Sequence, residues 1–227
     1  MTEKMILYRF GQEDGKSSFN PRMKPWVTIG ETRTMKGQIT PCLRGFHGSP
    51  SLWDALQYGK GPIAEMVELS GDLQPHGTPV DKWVGRKRTL LARVDVSREL
   101  RLFAADCAEH VLPLFETKYP NDDRPRLAIR AARILAEGDA NAAAAAKDAN
   151  AASAAAAASY VAASAASYAS FNAAANAAAA GSYVGYAAAN AAAAASSTAA
   201  ANAAAAADWP RQAFTVRFAN ILSEARP

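Results

Sequence analysis

The stretch 89-TLLARVDVSRELRLFAADCAEHVLPLF-115 changes its rhythm part-way. Up to Val96 it alternates, with Leu90, Ala92, Val94 and Val96 on one side and Leu91, Arg93 and Asp95 on the other. That is the period of a strand, and the first set reads as its core face. From Ala104 the spacing is helical: Cys107, Ala108, Val111, Leu112 and Phe115 share a side, and Pro113 predicts a kink. The change of period divides the chain near residue 100. A β-rich head is expected over 1–100 and a helical part over 101–227. The fold class is therefore α+β, a small N-terminal antiparallel β-rich domain followed by an Ala-rich α-helical bundle.

Toward the N-terminus, the runs 5-MILYRF-10, 25-PWVTIG-30 and 63-IAEMVELS-70 read as further strands, set apart by Gly, Pro, Asp and Ser clusters. Between them, 50-PSLWDALQYG-59 reads as a short helix. Ser51 is its N-cap, Leu52, Ala55 and Leu56 share a face, and Gly59 or Gly61 stops it.

Toward the C-terminus, 123-DRPRLAIRAARILAEG-138 carries strong boundary signals, with Asp123 as N-cap, Pro125 in the first turn and Gly138 just past the end. Leu127, Ala128, Ala131, Ile134 and Leu135 form its apolar stripe. Arg126, Arg130, Arg133 and Glu137 are left outside, with Arg133 and Glu137 as an i,i+4 pair. Residues 139–207 are mostly alanine, the strongest helix former. The two glycines of 181-GSYVGY-186 divide them into a helical hairpin. Tyr160, Tyr168 and Phe171 mark a helix-packing side, and the alanines opposite mark a close helix–helix seam. In 208-DWPRQAFTVRFANILSEARP-227, Asp208 reads as an N-cap with Pro210 in the first turn, and Phe214, Phe218, Ile221 and Leu222 form one apolar face.

Charge follows the same division. Residues 1–100 hold 15 basic and 11 acidic side chains, whereas residues 101–138 hold six of each, so the net +4 resides in the head. That excess is too small for a dedicated nucleic-acid binder. Two cysteines, Cys42 and Cys107, leave no disulfide framework and no CxxC metal knuckle. Cys107 and His110 sit three apart on a helix but lack further ligands, so neither a metal nor a cofactor is expected, and Cys107 reads as a buried thiol. The N-terminal MTEKMILYRF has no signal-peptide pattern and no span suits a membrane. The expected compartment is the cytoplasm, inside a host cell, with no membrane partner.

Two resemblances add to this reading. The run 105-ADCAEHVLPLFETKYPNDDRPRLAIRAARILAEGD-139, followed by alanine helices, resembles an Ala-rich helical immunity-protein family found near bacterial toxin genes. The run 37-GQITPCLRGFHGSPSLWDALQYGKGPIAEMVELSGDL-73 with 81-DKWVGRKRTLL-91 resembles a domain of unknown function common in phages and prophages. Together they imply a non-catalytic antagonist, anti-defence or immunity-like, that docks on and blocks a host defence protein or a toxin. The residues for such contacts are Lys82, Trp83, Arg86, Lys87 and Arg88 in the head and Arg126, Arg130 and Arg133 on the helix. The first group would also suit nucleic-acid phosphates, or simply form a solvated turn.

Two other functions fit parts of the chain. The order Arg9, GFHGSPS, a helix ending at Tyr58, then a strand with Glu65 and Glu68 resembles the ADP-ribosyltransferases. That likeness implies an NAD cleft with Arg9, His47, Tyr58 and Glu68 as its site. The plainer reading makes His47 and Tyr58 half-buried framework residues. The other function is structural, a homo-oligomer assembled through the alanine helices.

Overall fold

A computed structural model describes residues 3–16, 24–59, 61–118, 120–138 and 203–222 of the 227-residue chain. The described residues fall into two compact units, Met1–Val96 with Phe218–Pro227, and Ser97–Arg217.

The first unit is antiparallel β structure in two small sheets. One has the order β1-β4-β7-β2, from β1 (Lys4–Gly11), β4 (Ile63–Ser70), β7 (Lys87–Asp95) and β2 (Thr32–Thr34). The other has the order β3-β6-β5, from β3 (Phe46–Gly48), β6 (Lys82–Gly85) and β5 (Gln74–His76). Backbone bonds between Tyr8 and Ser49 join β1 to the end of β3. The core of the unit gathers Leu7, Val67, Leu69 and Leu90 from the larger sheet with Trp26 and Phe46. Trp26 and Phe46 meet edge to face at 5.4 Å.

The expected strands 5–10 and 63–70 form β1 and β4. The run 25–30 does not form a strand. It leaves β2 to Thr32–Thr34, and only Trp26 enters the core, while Val27 and Ile29 face solvent. Gly30 has φ 82°, which turns the chain there. Register also corrects the core face expected in β7. Val67 pairs with Leu90 but Met66 with Ala92, so Leu91 is an extra residue on β7. Neighbours in a strand point to opposite faces, so this bulge sends Leu90 and Ala92 to different sides, and each is buried there.

The short helix α1 (Leu52–Leu56) begins where its cap predicts. The Ser51 hydroxyl accepts from the Asp54 backbone N–H and donates to the Asp54 carboxylate, a reciprocal cap. The Gly59 N–H bonds back to the Ala55 carbonyl.

The described residues of the second unit form helices. Helix α2 spans Ser97–Lys118 and continues through Pro113, so it starts seven residues before the expected Ala104. Helix α3 spans Arg124–Ala136, with Asp123 just outside its start and Gly138 at φ 92° after its end. Among its described side chains Ile129, Ala132 and Ala136 are buried and Ile134 is half-buried, while Leu127 is 48% exposed. Leu127 thus does not join the buried side expected of it, and Ala128, Ala131 and Leu135 lie outside the described side chains. Arg133 likewise reaches Asp106 and Glu109 on α2.

Helix α4 spans Ala203–Phe218 and runs through Asp208 and Pro210. Asp208 is thus not a cap: the alanines before it extend the helix, because alanine gives up no side-chain entropy in that state. Phe214, Phe218 and Leu222 are buried as their spacing predicts. The expected hairpin break at 181–186 and the packing side of Tyr160, Tyr168 and Phe171 lie outside the described residues.

Candidate functional site

Strand register gathers polar residues on one face of the β3-β6-β5 sheet. His47 pairs with Val84, Val84 with Gln74, and Lys82 with His76. Because alternate residues share a side, His47, Gln74, His76 and Lys82 stand together. Phe46, between His47 and the turn before it, goes to the core instead. Gly45 makes this approach of β3 to β6 possible. It has φ 141°, and a Cβ there would lie 2.1 Å from Val84 Cγ2.

Cys42 closes one edge of the face from the turn that joins Thr40 to Arg44. Its backbone N–H donates to His47 Nε2 at 3.1 Å, and its Sγ lies 3.3 Å from His76 Nε2. The thiol is exposed. Since His47 Nε2 accepts that bond, a neutral His47 carries its proton on Nδ1. Burial first, and then the positive charges of Lys82, Arg88, His76 and Arg9, push the His47 pKa down to about 4. The ring is neutral at pH 7.

Tyr58 supplies another edge. Its hydroxyl donates to Asp81 Oδ2 at 2.6 Å, and the Lys82 ammonium sits over its ring at 3.6 Å from the centroid. Burial and the bond to Asp81 hold the phenol above its usual range, so it stays protonated. Asp81 Oδ1 is buried without a hydrogen-bond partner among the described residues.

Two cations here are almost fully enclosed, Lys82 at 7% and Arg88 at 8% exposed. The Arg88 guanidinium stacks on Trp26 at 4.3 Å and Phe46 at 5.0 Å, and donates to the His47 carbonyl at 3.4 Å. Burial drives its pKa well below the usual arginine value. Nearby, Glu65 is 2% exposed and bridges Arg9 at 2.8 Å and Arg93 at 3.2 Å across three adjacent strands. The register Arg9↔Glu65↔Arg93 places all three on one side.

The four residues of the NAD reading are only partly assembled. Arg9, His47 and Tyr58 lie in the first unit around this face, but Arg9 is engaged by Glu65. Glu68 is three residues from Glu65 on the regular β1-β4 ladder, so it takes the opposite side and pairs with Lys4 at 2.9 Å. In the basic turn, Lys82 and Arg88 are buried and Trp83 packs on the core. Arg86 bonds to Asp72 and the carbonyls of Met35 and Gly37, which leaves Lys87 exposed.

The helical unit is tied by charge. Asp106 on α2 receives Arg133 of α3 at 2.9 Å and Arg217 of α4, and Glu109 receives Arg133 at 2.5 Å. Glu116 pairs with Arg126, and Arg130 is exposed. Phe103 of α2 meets Phe214 of α4 edge to face at 5.2 Å. Cys107 is buried and its thiol is pushed far up by that burial, while His110 is exposed. Among the described residues, no group of three or more His, Cys, Asp or Glu could hold a metal ion. Among them, no helix is long and apolar enough to cross a membrane.

The family described as "Imm-5 like putative immunity protein" matches residues 93–224, more than half of the chain. The chain belongs to this immunity family. In this family member the matched region runs from the end of β7 through α2, α3 and α4. It contains the Asp106, Arg133 and Arg217 cluster, whereas the polar face of His47 and Lys82 precedes it. No curated protein and no solved structure matches the chain.

Sequence patterns did not join the residues of that face. Cys42 and His76 are 34 positions apart, and neither belongs to a linear catalytic motif. The one usable signal was the GFH run, whose glycine holds β3 close to β6. Glu65 was visible as a charge inside an apolar strand, which is a mark of a buried ion pair.

Proposed function

We propose that the chain neutralises a toxin protein by docking on it through its helical unit, without catalysis of its own. The observation that carries this reading is the immunity-family match over α2, α3 and α4. The exposed side of α3 supplies the contact surface. Leu127 and Arg130 lie there within about one turn, beside Arg126, which also pairs with Glu116 of α2, and Leu127 is apolar and 48% exposed. A basic rim around an apolar residue suits an acidic partner, which such charges would also steer into place. Arg133, held by Asp106 and Glu109, fixes α3 rather than meeting the partner. The basic residues 82–88 contribute only Lys87 to such a surface.

The likeness of the first hundred residues to a phage and prophage domain supports a mobile-element setting, where a host defence protein is the second class of target. Action would then take place inside the host cell. The NAD-transferase reading is the weaker one, because Glu68 points away from Arg9.

Co-expression with the product of an adjacent toxin gene tests the proposal. The full chain should restore growth and co-purify with the toxin, and the double substitution Arg126→Glu, Arg130→Glu should lose both effects while remaining folded. Growth arrest undiminished by the full chain would refute it.

A further inference from the structure

The face of the β3-β6-β5 sheet lies outside the family match and carries an imbalance of charge. Burying an ion costs several kcal/mol unless a counter-charge and hydrogen bonds replace its water. Around His47 stand three permanent cations, Arg9, Lys82 and Arg88, and the carboxylates that neighbour them, Glu65 and Asp81, are already engaged. Glu65 is shared by Arg9 and Arg93. Asp81 is engaged through the Tyr58 hydroxyl, not by Lys82. Lys82 and Arg88, both more than nine-tenths buried, have no ion pair among the described residues. Lys82 is set against the Tyr58 ring, and Arg88 against Trp26 and Phe46, the His47 carbonyl and the more distant charge of Glu65; a cation–π contact replaces only part of the hydration that burial removes.

We propose that this face binds a small phosphate-bearing ligand, with the Lys82 ammonium as its principal cation and the His47 Nδ1–H as a neutral donor. Arg88 adds to the positive field from beside the His47 carbonyl. Two unpaired cations call for a doubly charged guest, and a phosphate group carries about −1.5 to −2 at pH 7, against −1 for a carboxylate. Lysine is a suitable phosphate ligand because its point charge needs no planar partner. His47 is suited to donate because its Nε2 is already fixed by the Cys42 N–H. The exposed residues Cys42, Tyr58 and His76 border the face, and Tyr58 lies over the Lys82 ammonium, so a ligand would enter between them. The source of the phosphate is either the free anion or a nucleotide.

Thermal unfolding of the full chain at pH 7.5, at constant ionic strength, tests this with three probes: inorganic phosphate, ATP and acetate. A saturable rise in Tm with phosphate or ATP supports the site. Saturation with phosphate alone assigns the free anion, and saturation at lower concentration with ATP assigns a nucleotide. Lys82→Met should raise the Tm without ligand, since it removes an uncompensated charge at similar volume, and should abolish the response to phosphate and ATP. His47→Asn should weaken that response. If Lys82→Met does not fold, loss of the response in His47→Asn with a normal unfolding transition carries the same support. No response of the wild type to phosphate or ATP, an equal response to acetate, or a response unchanged in both variants would overturn the proposal. The toxin-docking reading is unaffected by any of these results, because it rests on α3.

Discussion

At the scale of the residue, burial decides what each charged or polar group does. Glu65 is the counter-ion of two arginines, so Glu65→Gln leaves Arg9 and Arg93 beside a neutral amide. Removing one partner of a buried pair typically costs about 3–5 kcal/mol; the cost here should fall near the lower end, because both arginines retain some solvent. Denaturant unfolding measures it. His47 responds to pH for the opposite reason. Its pKa is held near 4 in the folded chain against 6.5 in an unfolded one, so the unfolded chain binds more protons between those values. The stability that neutral His47 contributes is present above pH 6.5 and is lost as pH falls toward about 4. His47→Asn should flatten the pH dependence of Tm across that window. The two thiols should also differ: Cys42 is exposed beside His76, whereas Cys107 is buried. A thiol reagent should label one cysteine in the native chain, Cys42→Ser should remove that label, and denaturation should reveal Cys107.

At the scale of the element, the places where sequence reading succeeded were those with local causes. Ser51 caps α1 through its own side chain, and Gly138 ends α3 with a positive φ, both within a turn of the residues that signalled them. The misreadings came from causes several strands or turns away. The extra Leu91 in β7 is visible only against β4, so alternation along β7 alone put Leu90 on the side of Ala92 and Val94, although both Leu90 and Ala92 are buried as expected. On α3, among the described side chains, only Leu127 is displaced from the expected stripe: alanines are buried as readily as leucine where helices lie close, and Ala132 and Ala136 go in while Leu127 comes out. The polar face was hidden for a related reason, since β3, β5 and β6 have three or four residues each and too short a run to show a period. Gly45→Ala tests the element that positions the face. The new Cβ would collide with Val84 in a backbone conformation that L residues rarely adopt, so a loss of about 2 kcal/mol or more is expected in denaturant unfolding. In the helical unit, Asp106→Asn should loosen both α3 and α4, with a loss of about 1–2 kcal/mol, because Arg133 and Arg217 share that carboxylate.

At the scale of the whole molecule, the change of period placed a boundary near residue 100, whereas the compact units divide between Val96 and Ser97 and the first also takes Phe218–Pro227; the family match begins at Arg93. The two units carry different chemistry. The first encloses Lys82 and Arg88 without an ion pair among the described residues, and the second ties its helices through Asp106, Glu109 and Glu116. That contrast is why docking is assigned to the exposed side of α3 and ligand binding to the sheet face. It also predicts that the functions separate. Lys82→Met should leave toxin neutralisation intact, and Arg126→Glu with Arg130→Glu should leave the response to phosphate intact. The most direct measurement is the growth of cells that express the adjacent toxin together with the full chain, read alongside recovery of the toxin on the tagged chain. Restored growth with a stable complex that the Arg126→Glu, Arg130→Glu variant no longer forms is the expected result. A toxin that kills equally well in the presence of the full chain, with no complex recovered, would contradict it.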